Sequence, residues 1–174
     1  VFDVVMGDSL DRNFTVNSIN ESYADIFSAL IDGNWYLGEN AIEKNMVLRD
    51  ATFNGPYKVY REGELHYPTE YMGKNWNTED VHINGIILTH VAYRMSESGF
   101  TDNDIARIWY QSLFYGLEND CTFVDVRYNV ERAAKELNYS EENIKKIGEL
   151  LRVLKYKIEF DVLEESLKGD SFIT

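Results

Sequence analysis

The stretch Ile19-Asn20-Glu21-Ser22-Tyr23-Ala24-Asp25-Ile26-Phe27-Ser28-Ala29-Leu30-Ile31-Asp32-Gly33 decides how this chain is read. Its apolar residues Ile19, Tyr23, Ile26, Phe27, Leu30 and Ile31 recur at the spacing of one helical face, and Gly33 supplies a stop after them. Glu21, Asp25 and Asp32 fall at i, i+4 and i+11, which puts three carboxylates on one side, opposite the apolar stripe. Taken alone, such a face is the solvated side of a surface helix.

Downstream of Gly33 both prolines of the chain, Pro56 and Pro68, fall between residues 49 and 80 with Gly55, Gly63, Gly73 and several asparagines. That composition predicts a long irregular connection, a feature that in compact domains carries function or is held by partners. A second apolar stripe then runs Ile83, Ile86, Ile87, His90, Val91 and Arg94 and ends near Gly99; Thr101 caps the next helix. In that helix Ile105, Ile108, Trp109, Tyr110, Leu113, Phe114 and Leu117 surround the axis, the pattern expected of a centrally buried hub. Thr122 with Asp125 reads as a capping box introducing Val126, Val130, Ala133, Ala134 and Leu137. Ser140 caps a last helix with core face Ile144, Ile147, Leu151 and Leu154. After Tyr156 the pattern weakens: Lys157 to Phe160 alternates like a strand, and Asp161 to Leu167 has the length of one or two helical turns. The expected fold is mainly α, a bundle-like set of helices with one long loop.

Composition bounds the partners. The 174 residues are 44% hydrophobic and 14% aromatic, enough to bury a core. Thirty acidic residues against seventeen basic ones give a net charge of −13, which repels phosphate backbones and anionic lipid, so neither nucleic acid nor a membrane is an expected partner. No apolar run approaches the roughly 18 residues of a membrane span. Cys121, the single cysteine, has no internal disulfide partner and reads as a buried structural thiol.

The wording of three segments goes further. Asn20-Glu21-Ser22-Tyr23-Ala24-Asp25-Ile26-Phe27 resembles the N-E-x-x-x-D-I-F segment of the thermolysin family of zinc metalloendopeptidases. Val81-His82-Ile83-Asn84-Gly85-Ile86-Ile87 is similar to that family's V-H-x-N-S-G-I-I, and Leu48-Arg49 looks like its L-R pair. All three stand in the family's order, and the similarity extends through Trp35, Gly38 and Glu39 to about Tyr156. The resemblance implies that Glu21 is the third zinc ligand and that Asp25 holds a zinc-bound histidine in the correct tautomer. It implies further that His82 stabilises the oxyanion, Leu48 lines the pocket for the substrate's primed side and Arg49 binds the substrate carbonyl. Calcium is bound in the family near the end of the glutamate helix, and Asp32, Asn34 and Glu39 fall at similar positions, with Tyr36 replacing a carboxylate.

There are departures. No H-E-x-x-H occurs, so two zinc histidines and the general-base glutamate are absent. The family's aspartate five residues before the histidine is here Asn77, with Glu79 and Asp80 as closer substitutes. The serine of H-x-N-S-G is deleted, and the family's oxyanion-assisting tyrosine has no match between Leu10 and Ile19. His66 reads as a loop surface residue, and His90 as a hydrogen-bonded core residue.

The expectation is one domain over residues 1–174, the thermolysin-type C-terminal helical domain. Its core runs from about 15 to 156, residues 1–10 form the end of a truncated zinc-motif helix, and 157–174 form a tail. The parent is expected to be a secreted, extracellular and monomeric zinc endopeptidase acting on polypeptides, with this chain needing the half that carries H-E-x-x-H and inactive without it. Two competing readings are a non-catalytic helical module that binds a peptide or partner through the old cleft and, more weakly, a carboxylate metal-binding bundle, which lacks the E-x-x-H pairs it needs.

Overall fold

In the computed structural model, the described residues are 13–60, 67–117 and 120–154. The tail after Tyr156, His66 and the start of the chain lie outside them. Five α-helices dominate: α1 (Phe14–Asp32), α2 (Val81–Glu97), α3 (Asp102–Ser112), α4 (Phe123–Glu136) and α5 (Glu141–Leu150). Single 3₁₀ turns, Leu113–Tyr115 and Leu151–Leu154, extend α3 and α5. The mainly α expectation holds.

Local chemistry sets the helix ends. Asn13 accepts from the Val16 amide at 2.9 Å to start α1, earlier than its apolar stripe suggests. Gly33 ends it at φ 71°, a left-handed conformation that a glycine adopts without a Cβ penalty. Thr101 with Asp104 and Thr122 with Asp125 form complete capping boxes on α3 and α4, and Ser140 caps α5.

The main core runs through all five helices: Ile19, Tyr23 and Ile26 meet Ile87, Val91 and Met95, then Ile105, Ile108 and Trp109, then Val126, Val130, Ile147 and Leu151. Tyr23 packs edge-to-face on Trp109 at 5.4 Å and shares a 2.7 Å hydrogen bond with Ser112. Two expectations fail. Tyr110 and Phe114 are 47% and 53% exposed, so α3 is amphipathic and not a fully enclosed hub; the two rings pack on each other at the surface. Ile31, in the last turn of α1, is 84% exposed, because the chain leaves the core before Gly33.

The described parts of the connection between α1 and α2, residues 34–60 and 67–80, are irregular but tied down. Two-residue strands β1 (Tyr36–Leu37), β2 (Met46–Val47), β3 (Arg49–Asp50) and β4 (Lys58–Val59) pair as β1–β3 antiparallel and β2–β4 parallel. Leu37, Ala51 and Ile86 bury with Ala29 in a small second core beneath them. Further on, the Tyr71 amide donates to the Val153 carbonyl at 2.8 Å, and Tyr71 stacks on Phe123, which fastens the second half of the connection to the helical core.

Candidate functional site

α1 and α2 touch through small residues. The Ser22 hydroxyl reaches the carbonyls of Ser18 at 2.6 Å and Gly85 at 2.8 Å. A Cβ on Gly85 would stand 2.7 Å from the Ser18 carbonyl oxygen, so only glycine admits this approach. Glu21 precedes Ser22 and His82 lies one turn before Gly85; the close crossing therefore brings Glu21 Oε2 to 3.3 Å from His82 Nδ1. The contact lacks hydrogen-bond alignment, and Nδ1, itself shielded from solvent, has no hydrogen-bond partner.

One turn along, Asp25 is only 6% exposed. The solvated carboxylate face expected from the spacing is thus broken: Asp32 is exposed, Glu21 is half-buried and Asp25 faces inward. The cause is Arg49 on β3, whose Nε and Nη2 grip the two Asp25 oxygens at 2.7 and 2.5 Å. Burial pulls the Arg49 pKa down, but the Asp25 hydrogen bonds and the charges of Asp25 and Glu21 outweigh it, and the net displacement is upward. Each Asp25 oxygen keeps a second acceptor position, and the opposite edge of the guanidinium is left for another partner.

Leu48, Arg49 and His82 line one cavity of about 180 Å³, together with Tyr60, Tyr67, Asp80 and Ile83. Tyr60 and Tyr67 escape sequence reading because nothing in their spacing marks them; their place depends on how the loop folds. Asn77 stands aside from the His82 ring and builds the turn that begins α2. Its side-chain oxygen accepts from the amides of Glu79 and Asp80 at 2.6 and 2.7 Å, and its backbone is held by the buried Asn84. Asp80 caps the His82 amide at 3.0 Å.

The cation expectations fare differently. Asn34 turns its amide nitrogen toward Glu39 Oε2 at 3.1 Å, and its oxygen accepts from the Tyr36 amide. A donor facing the carboxylate is the wrong atom for calcium, so Asn34 and Glu39 as arranged do not form a site for that ion with Asp32. For zinc, no cluster of three histidine, cysteine or acidic side chains forms among the described residues. Cys121 is buried and burial pushes its thiol up to about 12, the condition of an inert structural cysteine.

Residues 15–149 match the model of the thermolysin metallopeptidase alpha-helical domain. The chain belongs to the thermolysin metallopeptidases. No curated protein matches it. The matched span holds α1 through most of α5, with Glu21, Asp25, Arg49 and His82 inside it. Among the described residues no helix is long and apolar enough to cross a membrane.

Proposed function

We propose that this chain forms the helical wall of the active-site cleft in a secreted, monomeric zinc endopeptidase that hydrolyses polypeptides. The observation that carries the reading is the convergence of Glu21, Arg49 and His82: a carboxylate 3.3 Å from an imidazole, beside a cavity that holds the guanidinium and the ring.

Zinc, when bound, supplies a Lewis acid that polarises the scissile carbonyl and activates water. Glu21 is the single ligand from this chain, and the other ligands and the general base come from an H-E-x-x-H half. Asp25, held rigid by Arg49, keeps acceptor positions toward a ligand imidazole. His82, on the first turn of α2, donates to the developing oxyanion, where a donor fixed before reaction acts without reorganisation. The free edge of Arg49 binds the substrate carbonyl, and Leu48 contacts the neighbouring side chain. Asn77 supports His82 indirectly, through the turn that carries Asp80.

In the enzyme that carries this domain, Glu21→Gln is expected to lower zinc content and abolish hydrolysis of a blocked peptide. His82→Ala should retain zinc while turnover falls by about 10²–10³, the loss typical of one oxyanion donor. Zinc content unchanged by the first substitution, or a rate unchanged by the second, removes that residue from its role. The chain alone is expected to hydrolyse nothing and to bind zinc weakly, since one carboxylate makes no tetrahedral site.

A further inference from the structure

The turn after Arg49 is gripped from both sides by residues outside the Glu21, Arg49 and His82 convergence. His90 on α2 places Nδ1 at 2.7 Å from the Ala51 carbonyl. A carbonyl only accepts, so Nδ1 carries the hydrogen and His90 is the donor. The same ring lies flat on Phe53, with centroids 4.0 Å apart and planes 4° from parallel, and Phe53 in turn stacks on Tyr67 at 5.3 Å. Phe53 has φ 65°, a left-handed conformation that a side chain of its size rarely adopts, and both the His90 and the Tyr67 rings stack on it. Tyr67 closes the circuit: its hydroxyl accepts from the Asp50 amide at 3.4 Å, and its ring walls the same cavity as Arg49 and His82. Within the turn, Asp50 accepts from the amides of Thr52 and Gly55 at 2.8 Å each.

We propose that His90 is a positioning residue for Arg49, acting through the Ala51 carbonyl and the His90–Phe53–Tyr67 ring stack that fix the turn behind β3. Asp25 fixes the guanidinium end of Arg49; the clamp fixes its backbone end. A long side chain restrained at both ends presents its free edge in one place, which is what a donor to a substrate carbonyl requires. The sequence carries the elements of the clamp, but residues 49–53, 67 and 90 meet only in the fold. The kinetic consequence rests on the reading of Arg49 as a substrate donor; the clamp itself does not.

Two measurements separate these levels. In the full chain labelled with ¹⁵N-arginine, the Arg49 Nε–H is expected to exchange slowly because Asp25 accepts from it. His90→Phe keeps a ring on Phe53 but removes the donor, and Tyr67→Phe keeps the stack but removes the acceptor. Each is expected to speed exchange of the Arg49 Nε–H and the Ala51 amide by about tenfold, the effect of losing one hydrogen bond, while the fold is retained. His90→Gln, whose amide reaches for the same carbonyl, should recover part of the protection. If His90→Phe fails to fold, Tyr67→Phe should show the full acceleration and His90→Gln a smaller one; exchange at Arg49 unchanged in every folded variant overturns the proposal. In the enzyme that carries the domain, His90→Phe should lower kcat/KM about tenfold, mostly through KM, and have no effect when Arg49→Ala is already present, because residues acting through one group are not additive. Equal effects in both backgrounds overturn it. A wild-type enzyme without peptidase activity sinks the functional reading of Arg49, and the exchange measurement still decides the clamp.

Discussion

The two halves of this domain are held together by different physics. From α3 to α5 the buried residues are almost all apolar, and each helix is started by its own local cap. Around α1, α2 and the loop between them, buried polar groups do much of the fixing: Ser18, Ser22, Asp25, Asp50 and Asn84 are enclosed and hydrogen-bonded, while the buried Thr89 hydroxyl on α2 has no hydrogen-bond partner among the described residues. The difference bears on where the proposed site sits. An apolar core tolerates approximate geometry, whereas a polar network is satisfied in few arrangements and so holds charged groups in fixed positions. The catalytic candidates Glu21, Arg49 and His82 all belong to the polar half.

Substitutions in each half test this contrast. The largest loss is expected from Trp109→Ala in the apolar half: Trp109 is fully buried against Tyr23, and emptying its site should cost about 3–5 kcal/mol in a denaturant titration. A loss under about 1 kcal/mol would mean that α3 does not organise the core. Gly85→Ala comes next, in the polar half. Its Cβ meets a backbone oxygen that cannot yield without moving a helix, and roughly 1–3 kcal/mol of overpacking is expected in the same measurement. Because the crossing sets the Glu21–His82 approach, the Glu21 and His82 resonances should shift as well; unchanged stability would show that the helices have slack.

Thr122→Ala removes one side of the α4 capping box and should cost about 1 kcal/mol, read from the denaturant midpoint, with no effect on the residues of the cleft. An effect on the cleft would show that the halves are coupled. The smallest effect concerns pH. Burial, ahead of the Ala51 hydrogen bond that opposes it, lowers the His90 pKa from its ordinary 6.5. The unfolded chain therefore binds more protons than the folded one just below that pH, and stability contributed by neutral His90 is present above about pH 6.5 and lost as pH falls toward the lowered value. Wild-type Tm should consequently drop more than that of His90→Phe between about pH 6.5 and pH 5, the carboxylate contributions cancelling in the comparison. Parallel curves would show that His90 is not neutral in the fold.

Legibility followed the same division. Thr101, Thr122 and Ser140 announce their helices because a cap acts over three residues, and the stripes of α4 and α5 show directly which residues are buried. In α3 the rule overreached: apolar residues at Tyr110 and Phe114 satisfied each other at the surface, which periodicity cannot distinguish from burial. In the polar half the motif wording singled out Glu21, Arg49 and His82 as candidates but not what they touch. Asp25 reads as solvated or as an imidazole partner, and its grip by Arg49 joins residues 24 positions apart. Asn77 reads as a replacement beside the histidine, whereas its side chain closes the turn before α2.

By itself, then, the sequence determined the helices, their caps, the apolar core and the kinship carried by the Glu21 and His82 segments, because these depend on patterns within a few turns of chain. Only the tertiary structure decided that Arg49 closes on Asp25, that Tyr60 and Tyr67 wall the cavity beside His82, and that His90 reaches Ala51. Those contacts depend on how an irregular loop lies across two helices, and loop geometry is set by distant partners, not by local spacing.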